Sequence, residues 1–172
     1  MKIILVGYMA SGKSTIGILL ARKFDIPFID LDQYIEAKEN LSIKKIFSTK
    51  GEIYFRKQES IYLKEILDSN TNGVLSLGGG TPCYGNNMQL ILNTSDAKSV
   101  YLKASIVTLV ERLQLNQEKR PLIAELDNEN LVEYVGKHLF ERALFYEQSE
   151  VKIKTDYKEK REIVNEIEML LY

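Results

Sequence analysis

Residues 2–15 read Lys-Ile-Ile-Leu-Val-Gly-Tyr-Met-Ala-Ser-Gly-Lys-Ser-Thr, so an apolar stretch leads directly into the pattern G-x-x-x-x-G-K-S. The apolar stretch predicts a buried strand, and apolar residues at three- and four-residue steps from Ile16 to Phe24 predict a helix after the loop. A glycine-bounded loop between a strand and a helix is the setting in which this pattern binds phosphate groups. We name residues 7–14 the phosphate loop.

The chemistry of the phosphate loop predicts a nucleotide site. Backbone N–H groups of such a loop and of the following helix N-terminus converge on phosphate oxygens. Lys13 would place a positive charge at the outer phosphates, and the Ser14 hydroxyl would face Mg²⁺. The residues expected to bind the nucleotide are Ala10, Ser11, Gly12, Lys13, Ser14 and Thr15.

The bulk composition is that of an ordinary globular protein. The chain has 172 residues, most simply one domain over 1–172, with 45% hydrophobic and 27% charged residues. A net charge of −1 gives no electrostatic reason to expect a nucleic-acid partner, and no apolar run approaches membrane-spanning length. The single cysteine excludes an internal disulfide and a cysteine metal cluster. The first residues predict a strand rather than a signal sequence, so we expect a cytoplasmic protein.

Apolar strand-like runs alternate with helical patterns along the chain, which predicts a parallel sheet with helices on both faces. Ligands of such sheets bind at the C-terminal ends of the strands, where the phosphate loop is expected. The predicted strands are 2–6, 27–30, 74–77, 99–102 and 151–154. The predicted helices are 13–23, 32–39, 42–49, 52–68, 86–92, 106–113, 130–148 and 158–171.

The segment 114–128 is mostly polar around one proline, between two predicted helices. A polar excursion of this length is either a loose surface loop or a lid that closes over a nucleotide. The phosphate loop elsewhere in the chain favours the lid. Arg120 lies within it.

Two carboxylates follow the second predicted strand, in Asp30-Leu31-Asp32. The strand 74–77 ends in three glycines without an acid, so these are the nearest candidates for a metal-linked carboxylate. In extended chain, residues two apart point to the same side, toward one crevice. We expect Asp30, with Ser14, near hydrated Mg²⁺, and Asp32 toward an acceptor hydroxyl group. The alternative is that Asp32 only caps the next helix.

A glycine run and two arginines complete the set of candidates. Gly78-Gly79-Gly80 is either a plain turn or a place where backbone approaches a ligand closely, and its position at a strand end favours the ligand. Arg56 has Glu59 three residues on, the spacing of an orienting pair in a helix. Arg142 lies on the long helix predicted at 130–148. The planar guanidinium group suits carboxylates and phosphates.

These motifs, in this order, resemble the shikimate kinase family from Ile3 to about Tyr146. The motifs are the phosphate loop continuing to Gly17, Asp-Leu-Asp at 30–32, Glu-x-x-Phe-Arg-x-x-Glu at 52–59, Gly-Gly-Gly at 78–80, Arg-Pro-Leu at 120–122 and Glu-Arg-x-x-x-Tyr at 141–146. The resemblance implies a P-loop, nucleoside-monophosphate-kinase-like three-layer sandwich with a five-stranded parallel sheet and a mobile lid. It also implies transfer of the γ-phosphoryl group of ATP, with Mg²⁺, to the 3-hydroxyl of shikimate in aromatic amino-acid biosynthesis, by a monomer.

The resemblance further implies roles for individual residues. The position matching Asp32 contacts the acceptor hydroxyl as candidate base, in a helical substrate-binding region at about 32–60. Those matching Arg56 and Arg142 grip the substrate carboxylate, helped by backbone groups of Gly79 and Gly80.

On the nucleotide side, the position matching Arg120 reaches from the lid to the phosphates and is catalytic together with Lys13. The position matching Arg112 lies near the adenine, and Lys158 is a further possible contact.

The chain departs from the family pattern at Ala10, where glycine is common. The change matters if the position requires a positive φ. The competing interpretations are another small-molecule kinase, of the gluconate or nucleoside-monophosphate type, and a non-catalytic nucleotide-binding module.

Overall fold

The computed structural model describes residues 1–115 and 123–171. Its sheet has five parallel strands in the order β2-β3-β1-β4-β5. The strands are β1 (Lys2–Val6), β2 (Phe28–Asp30), β3 (Gly73–Ser76), β4 (Ala97–Lys103) and β5 (Val151–Lys154). The predicted strands are therefore confirmed, with ends displaced by two residues or fewer.

The helices are α1 (Lys13–Phe24), α2 (Leu31–Glu39), α3 (Ile43–Asp68), α4 (Asn87–Leu92), α5 (Ile106–Gln114), α6 (Asn128–Tyr146) and α7 (Lys160–Leu171), with a short 3₁₀ helix at Thr81–Cys83. The two helices predicted at 42–49 and 52–68 form the single element α3, interrupted where Gly51 has φ 84° and ψ 170°. That conformation is not helical, so the predicted break is real although both segments follow one another without a loop.

Helices cover both faces of the sheet, as predicted. The side chains of β1 alternate between two apolar clusters: Ile3 and Leu5 pack with α1 and α7, whereas Ile4 and Val6 pack with α2 to α6. Every residue of β1 is buried, and burying each large aliphatic side chain stabilises the fold by about 1.5–3 kcal/mol. The phosphate loop thus leaves a fully buried strand at the centre of the sheet.

Two expectations fall partly or wholly outside the described residues. Of the lid expected at 114–128, Gln114 ends α5 and Asn128 begins α6, but 116–122, including Arg120, lie outside the description.

Within the described part of the chain, no helix is both long and apolar enough to cross a membrane.

Candidate active site

The phosphate loop turns from β1 into α1 through residues of positive φ. Gly12, with φ 99°, precedes the first turn of α1, so the unpaired N–H groups of that helix end face the loop. The Lys13 ammonium group lies over the loop and donates to the carbonyl oxygens of Gly7, at 2.9 Å, and Tyr8, at 3.0 Å. A cavity of about 250 Å³ is lined by Ala10, Gly12, Lys13, Ser14 and Thr15.

Ala10 adopts φ 62°, in the left-handed region. An L-residue with a Cβ atom there costs about 1–2 kcal/mol, which glycine avoids. The position thus has the positive φ that makes the replacement of glycine by alanine matter. The loop carries local backbone strain at Ala10.

A larger cavity of about 550 Å³ adjoins the phosphate loop. Arg112 on α5 lines it and donates from Nη1 to the carbonyl oxygens of Ala10, at 3.2 Å, and Ser11, at 3.4 Å. Lys158, two residues before α7, and Lys160, its first residue, line it as well. The cavity therefore adjoins the phosphate loop, is lined by three basic side chains, and has a volume within the usual range for small-molecule sites.

Asp30, rather than Asp32, caps α2. Its Oδ1 accepts from the backbone N–H groups of Asp32, at 3.1 Å, and Gln33, at 3.4 Å, and its Oδ2 accepts from the Ser14 hydroxyl at 3.2 Å. Asp32 lies in the first turn of α2. The predicted extended backbone from Asp30 to Asp32, from which we inferred that both acids face one crevice, is therefore wrong. The two carboxylates are nevertheless neighbours, and the capping alternative for Asp32 does not apply.

The pair formed by Ser14 and Asp30 fits a magnesium ion. Mg²⁺ prefers hard oxygen ligands and is usually held by one or two carboxylates together with substrate phosphates. A hydroxyl and a carboxylate in hydrogen-bond contact beside the phosphate loop supply that donor set. Across residues 1–115 and 123–171 no group of three or more His, Cys, Asp or Glu side chains could hold a metal alone.

Asp32 has an unusual protonation equilibrium. Burial is the main cause that raises the pKa of its carboxyl group from 3.8 to about 6, and the negative charges of Asp30 and Glu59 raise it further. The positive charges of Lys13 and Arg56 oppose this shift. A carboxylate with a pKa near the working pH is suited to general-base catalysis.

Arg56 is held by a buried carboxylate. Its Nη1 donates to Glu59 Oε2 at 2.9 Å, as the spacing predicts, and the Glu59 side chain is 1% exposed. The second oxygen of Glu59 accepts from the Thr81 hydroxyl at 2.5 Å. A Cβ atom on Gly80 would lie 2.7 Å from a guanidinium nitrogen of Arg56. The missing side chain at Gly80 therefore makes room for the Arg56 guanidinium group, and the expected approach of a ligand to the glycine run stays a prediction.

Arg142 reaches the same glycine run from α6. Its guanidinium group lies over the ring of Tyr8, 5.6 Å from the centroid, and 3.5 Å from where a Cβ atom of Gly79 would be. Tyr146, one turn further along α6, donates its hydroxyl proton to the Gly79 carbonyl oxygen at 2.5 Å. In contrast to Arg56, Arg142 forms no ion pair with any carboxylate of the described residues.

Sequence reasoning missed Thr81, Tyr8 and Lys160 and gave Tyr146 no role. Tyr146 could have been found, because it follows Arg142 by four residues and so shares its helix face. Thr81 contacts Glu59, which lies 22 residues earlier in the chain, and no periodic pattern in the sequence predicts such a contact. The predicted residues within the described part of the chain lie at the C-terminal edge of the sheet or on helices facing it.

Comparison with known proteins points to one family. A family profile described as shikimate kinase matches residues 9–171. The shikimate kinase of Flavobacterium psychrophilum is 47% identical over 171 residues, covering 99% of both chains. The crystal structure of a shikimate kinase from Bacteroides thetaiotaomicron has a TM-score of 0.91 and 33% identity, covering 99% of this chain and 98% of that chain.

A third comparison comes from a solved complex. The shikimate kinase of Acinetobacter baumannii in complex with shikimate has a TM-score of 0.87 and 29% identity, covering 99% of this chain and 92% of the other. The P-loop, nucleoside-monophosphate-kinase-like fold with a five-stranded parallel sheet is thus confirmed, and the similarity extends over nearly the whole chain.

Proposed function

Because this chain belongs to the shikimate kinase family, we propose that its site transfers the γ-phosphoryl group of ATP to the 3-hydroxyl group of shikimate. The products are shikimate 3-phosphate and ADP, in the biosynthesis of chorismate and aromatic amino acids. The observation that carries this proposal is the arrangement at one sheet edge of a phosphate loop, a half-buried Asp32 and two guanidinium groups beside the glycine run.

The phosphate loop supplies positioning and positive charge. Phosphoryl transfer passes through a loose transition state, so catalysis depends on alignment and electrostatic stabilisation more than on covalent chemistry. Lys13, which donates to two loop carbonyls, is the residue we propose to place a positive charge at the outer phosphates of ATP. When bound, Mg²⁺ neutralises charge on the β- and γ-phosphate oxygens. Ser14 and Asp30 are the residues we propose to hold it.

Asp32 is the proposed acceptor of the hydroxyl proton. A bond forms between the 3-oxygen of shikimate and the γ-phosphorus, the bond from that phosphorus to the ADP oxygen breaks, and the hydroxyl proton passes to the Asp32 carboxylate. With a pKa of about 6, this carboxylate is mostly ionised at neutral pH and is more basic than an exposed aspartate.

The two arginines are proposed to grip the substrate carboxylate in different ways. Arg56 is already neutralised by Glu59, so it contributes a fixed direction for hydrogen bonding. Arg142 contributes a positive charge that no carboxylate among the described residues pairs with. Because Gly79 and Gly80 have no side chains, the substrate can approach their backbone closely.

The remaining expectations are proposals that rest on the family resemblance. They are a lid at about 114–128 that brings Arg120 to the ATP phosphates, a substrate-binding region at about 32–60, and an adenine site beside Arg112. A closing lid would also exclude water and so protect ATP from hydrolysis. We further propose a single-domain monomer in the cytoplasm with no nucleic-acid or membrane partner, in keeping with a net charge of −1.

The decisive experiment is Mg²⁺-dependent ADP release from ATP by the purified protein, with shikimate, gluconate, a nucleoside monophosphate or no acceptor. We expect strong stimulation by shikimate alone, and loss of that stimulation in Arg142→Ala at the same shikimate concentration. Preference for gluconate or a nucleotide would show a different small-molecule kinase. Binding of ATP without turnover on any acceptor would show a non-catalytic nucleotide-binding module.

A further inference from the structure

The helix that carries Arg56 has a joint at Gly51. At this residue α3 leaves helical geometry, with φ 84° and ψ 170°. A Cβ atom added there would meet nothing within 4 Å, so the positive φ, rather than a lack of space, is what favours glycine at this position. Arg56 lies five residues beyond the joint, which means that the angle between the two segments decides where its guanidinium group points.

Glu39, the last residue of α2, is bound to both segments of α3. Its Oε2 accepts from the Lys50 ammonium group at 2.9 Å, immediately before the joint, and from the Tyr54 hydroxyl at 2.8 Å, just after it. Its Oε1 accepts from the Tyr62 hydroxyl at 2.8 Å, two turns further on. The Glu39 side chain is 8% exposed. We name these four residues, Glu39, Lys50, Tyr54 and Tyr62, the Glu39 clamp.

The Glu39 clamp and Arg56 occupy different sides of the same helix. Successive residues of an α-helix are rotated by about 100°, so Arg56 points about 160° away from Tyr54 and about 120° away from Tyr62. The tyrosines face α2, while Arg56 faces Gly80 and Glu59. Holding one side of the helix at two positions fixes its rotation about its own axis, and thereby the direction of Arg56.

We propose that Glu39 is a positioning residue for substrate binding, which locks the joint at Gly51 so that Arg56 points at the substrate carboxylate. This inference rests on the proposed function, because it assigns Glu39 a part in the same carboxylate grip. The clamp is ionic at every pH of interest. Hydrogen bonds from Lys50, Tyr54 and Tyr62 hold the pKa of Glu39 at about 2.

A second glutamate at the same helix pair provides a matched control. Glu65 accepts from the Lys38 ammonium group at 2.6 Å and from the Tyr34 hydroxyl at 2.9 Å, so it also joins α2 to α3 through a lysine and a tyrosine. Both of these partners lie on α2, and Glu65 itself lies beyond the joint. Glu65 therefore attaches only the second segment of α3 and, unlike Glu39, makes no bond to the segment before Gly51.

The test compares Glu39→Gln with Glu65→Gln in steady-state assays of the full-length enzyme at neutral pH. Glutamine keeps the size of the side chain but loses the charge and one acceptor atom. We expect Glu39→Gln to raise the KM for shikimate about fivefold or more, with the KM for ATP within about twofold of the wild type. Glu65→Gln should change both by less than about twofold.

A double-mutant cycle separates positioning from general damage. If Glu39 acts through Arg56, then Glu39→Gln raises the shikimate KM by less than about twofold when Arg56→Ala is already present. An unchanged KM in the single variant, or an equal rise with and without Arg56, overturns the inference. Should Glu39→Gln not fold, Tyr54→Phe removes one bond of the clamp and is held to the same criteria. Absence of shikimate-dependent turnover in the wild type would instead remove the proposed function, and this inference with it.

Discussion

The hydroxyl group of Thr81 and the carboxylate of Glu59 form a buried hydrogen bond of 2.5 Å that joins the end of the glycine run to α3. Glu59 is 1% exposed and Thr81 is fully buried. The other oxygen of Glu59 accepts from Arg56. Each oxygen of this buried carboxylate therefore accepts one hydrogen bond. The bond from Thr81 fixes the orientation of the Glu59 carboxylate toward Arg56.

We expect Thr81→Val to weaken both the fold and the grip on shikimate. Valine has the shape of threonine but cannot donate, and a hydrogen bond to a charged group contributes about 1.5–3 kcal/mol. Thermal unfolding should report that loss, and the shikimate KM should rise while the ATP KM stays constant. Thr81→Ser keeps the hydroxyl and should preserve the KM. Equal KM values for the valine and serine variants would show that the hydrogen bond has no part in binding.

Truncating the two arginines should separate affinity from stability. Arg56→Ala leaves Glu59 buried with only Thr81 as partner, and loss of one member of a buried ion pair costs on the order of 3 kcal/mol. Arg142→Ala breaks no ion pair with the described carboxylates and should cost less than about 1 kcal/mol. Both variants should raise the shikimate KM. Denaturant unfolding checks the contrast, which fails if Arg142→Ala destabilises as much as Arg56→Ala.

Asp32→Asn should remove turnover yet stabilise the free protein. Loss of a positioned base lowers kcat about 10²- to 10⁴-fold, and the phosphate loop should still bind ATP. The folded state raises the pKa of this carboxyl group from 3.8 to about 6, so the ionised form is disfavoured by folding. One pKa unit corresponds to about 1.4 kcal/mol, so asparagine should stabilise the protein by about 1–3 kcal/mol at neutral pH.

The sign of this effect gives its pH dependence. Below about pH 4 the carboxyl group is protonated in both the folded and the unfolded states, so the advantage of asparagine should vanish. Above about pH 6 the advantage should be complete. In the wild type, kcat/KM for shikimate should fall as the pH drops through about 6, because the free enzyme loses its base. A stability gain that persists at pH 4 would place its origin elsewhere.

Local patterns were sufficient to predict most of the sheet and part of the site. The apolar run before Gly7 predicted β1 and its loop, and the three-residue spacing predicted the contact between Arg56 and Glu59. Helix ends were less predictable, because Asp30 and Asp32 are equally good capping residues in the sequence. In the structure Asp30 ends β2 with an extended backbone and caps α2, whereas Asp32 lies inside its first turn.

Long-range contacts were beyond local patterns. Thr81 meets Glu59 because β3 and α3 bring the two residues together, and nothing in the neighbourhood of either residue encodes that meeting. The same holds for the Glu39 clamp, because nothing in the sequence distinguishes its tyrosines from other helical tyrosines. The interruption of α3 at Gly51 was predicted, but the acid that spans it was not.

The strain at Ala10 can be measured by a pair of alanine-to-glycine substitutions. Removing the strain of a left-handed alanine should raise the free energy of unfolding by about 1–2 kcal/mol. The greater entropy of glycine in the unfolded chain should lower it by about 0.5–1 kcal/mol. Ala10→Gly should therefore leave the free energy of unfolding unchanged or raise it slightly. Ala37→Gly, at an exposed position inside α2, should lower it by about 1 kcal/mol. Equal losses at both positions would mean that Ala10 has no strain to relieve.

Asp30 performs two tasks that a pair of substitutions can separate. Its Oδ1 caps α2 and its Oδ2 contacts Ser14. Asparagine is as good a cap as aspartate but carries no charge, whereas alanine loses the cap and costs about 1 kcal/mol. Asp30→Asn should therefore keep the thermal stability of the wild type, while Asp30→Ala should not.

The same pair tests the proposed magnesium site through the Mg²⁺ concentration that gives half-maximal activity at fixed ATP. If the Asp30 carboxylate helps to hold the ion, both variants should require several-fold more Mg²⁺, since each has lost the negative charge. If Asp30 only caps α2, the requirement should rise in Asp30→Ala alone, in step with its lost stability. The asparagine variant decides between these possibilities, because it changes the charge beside Ser14 without disturbing the helix that positions Asp32.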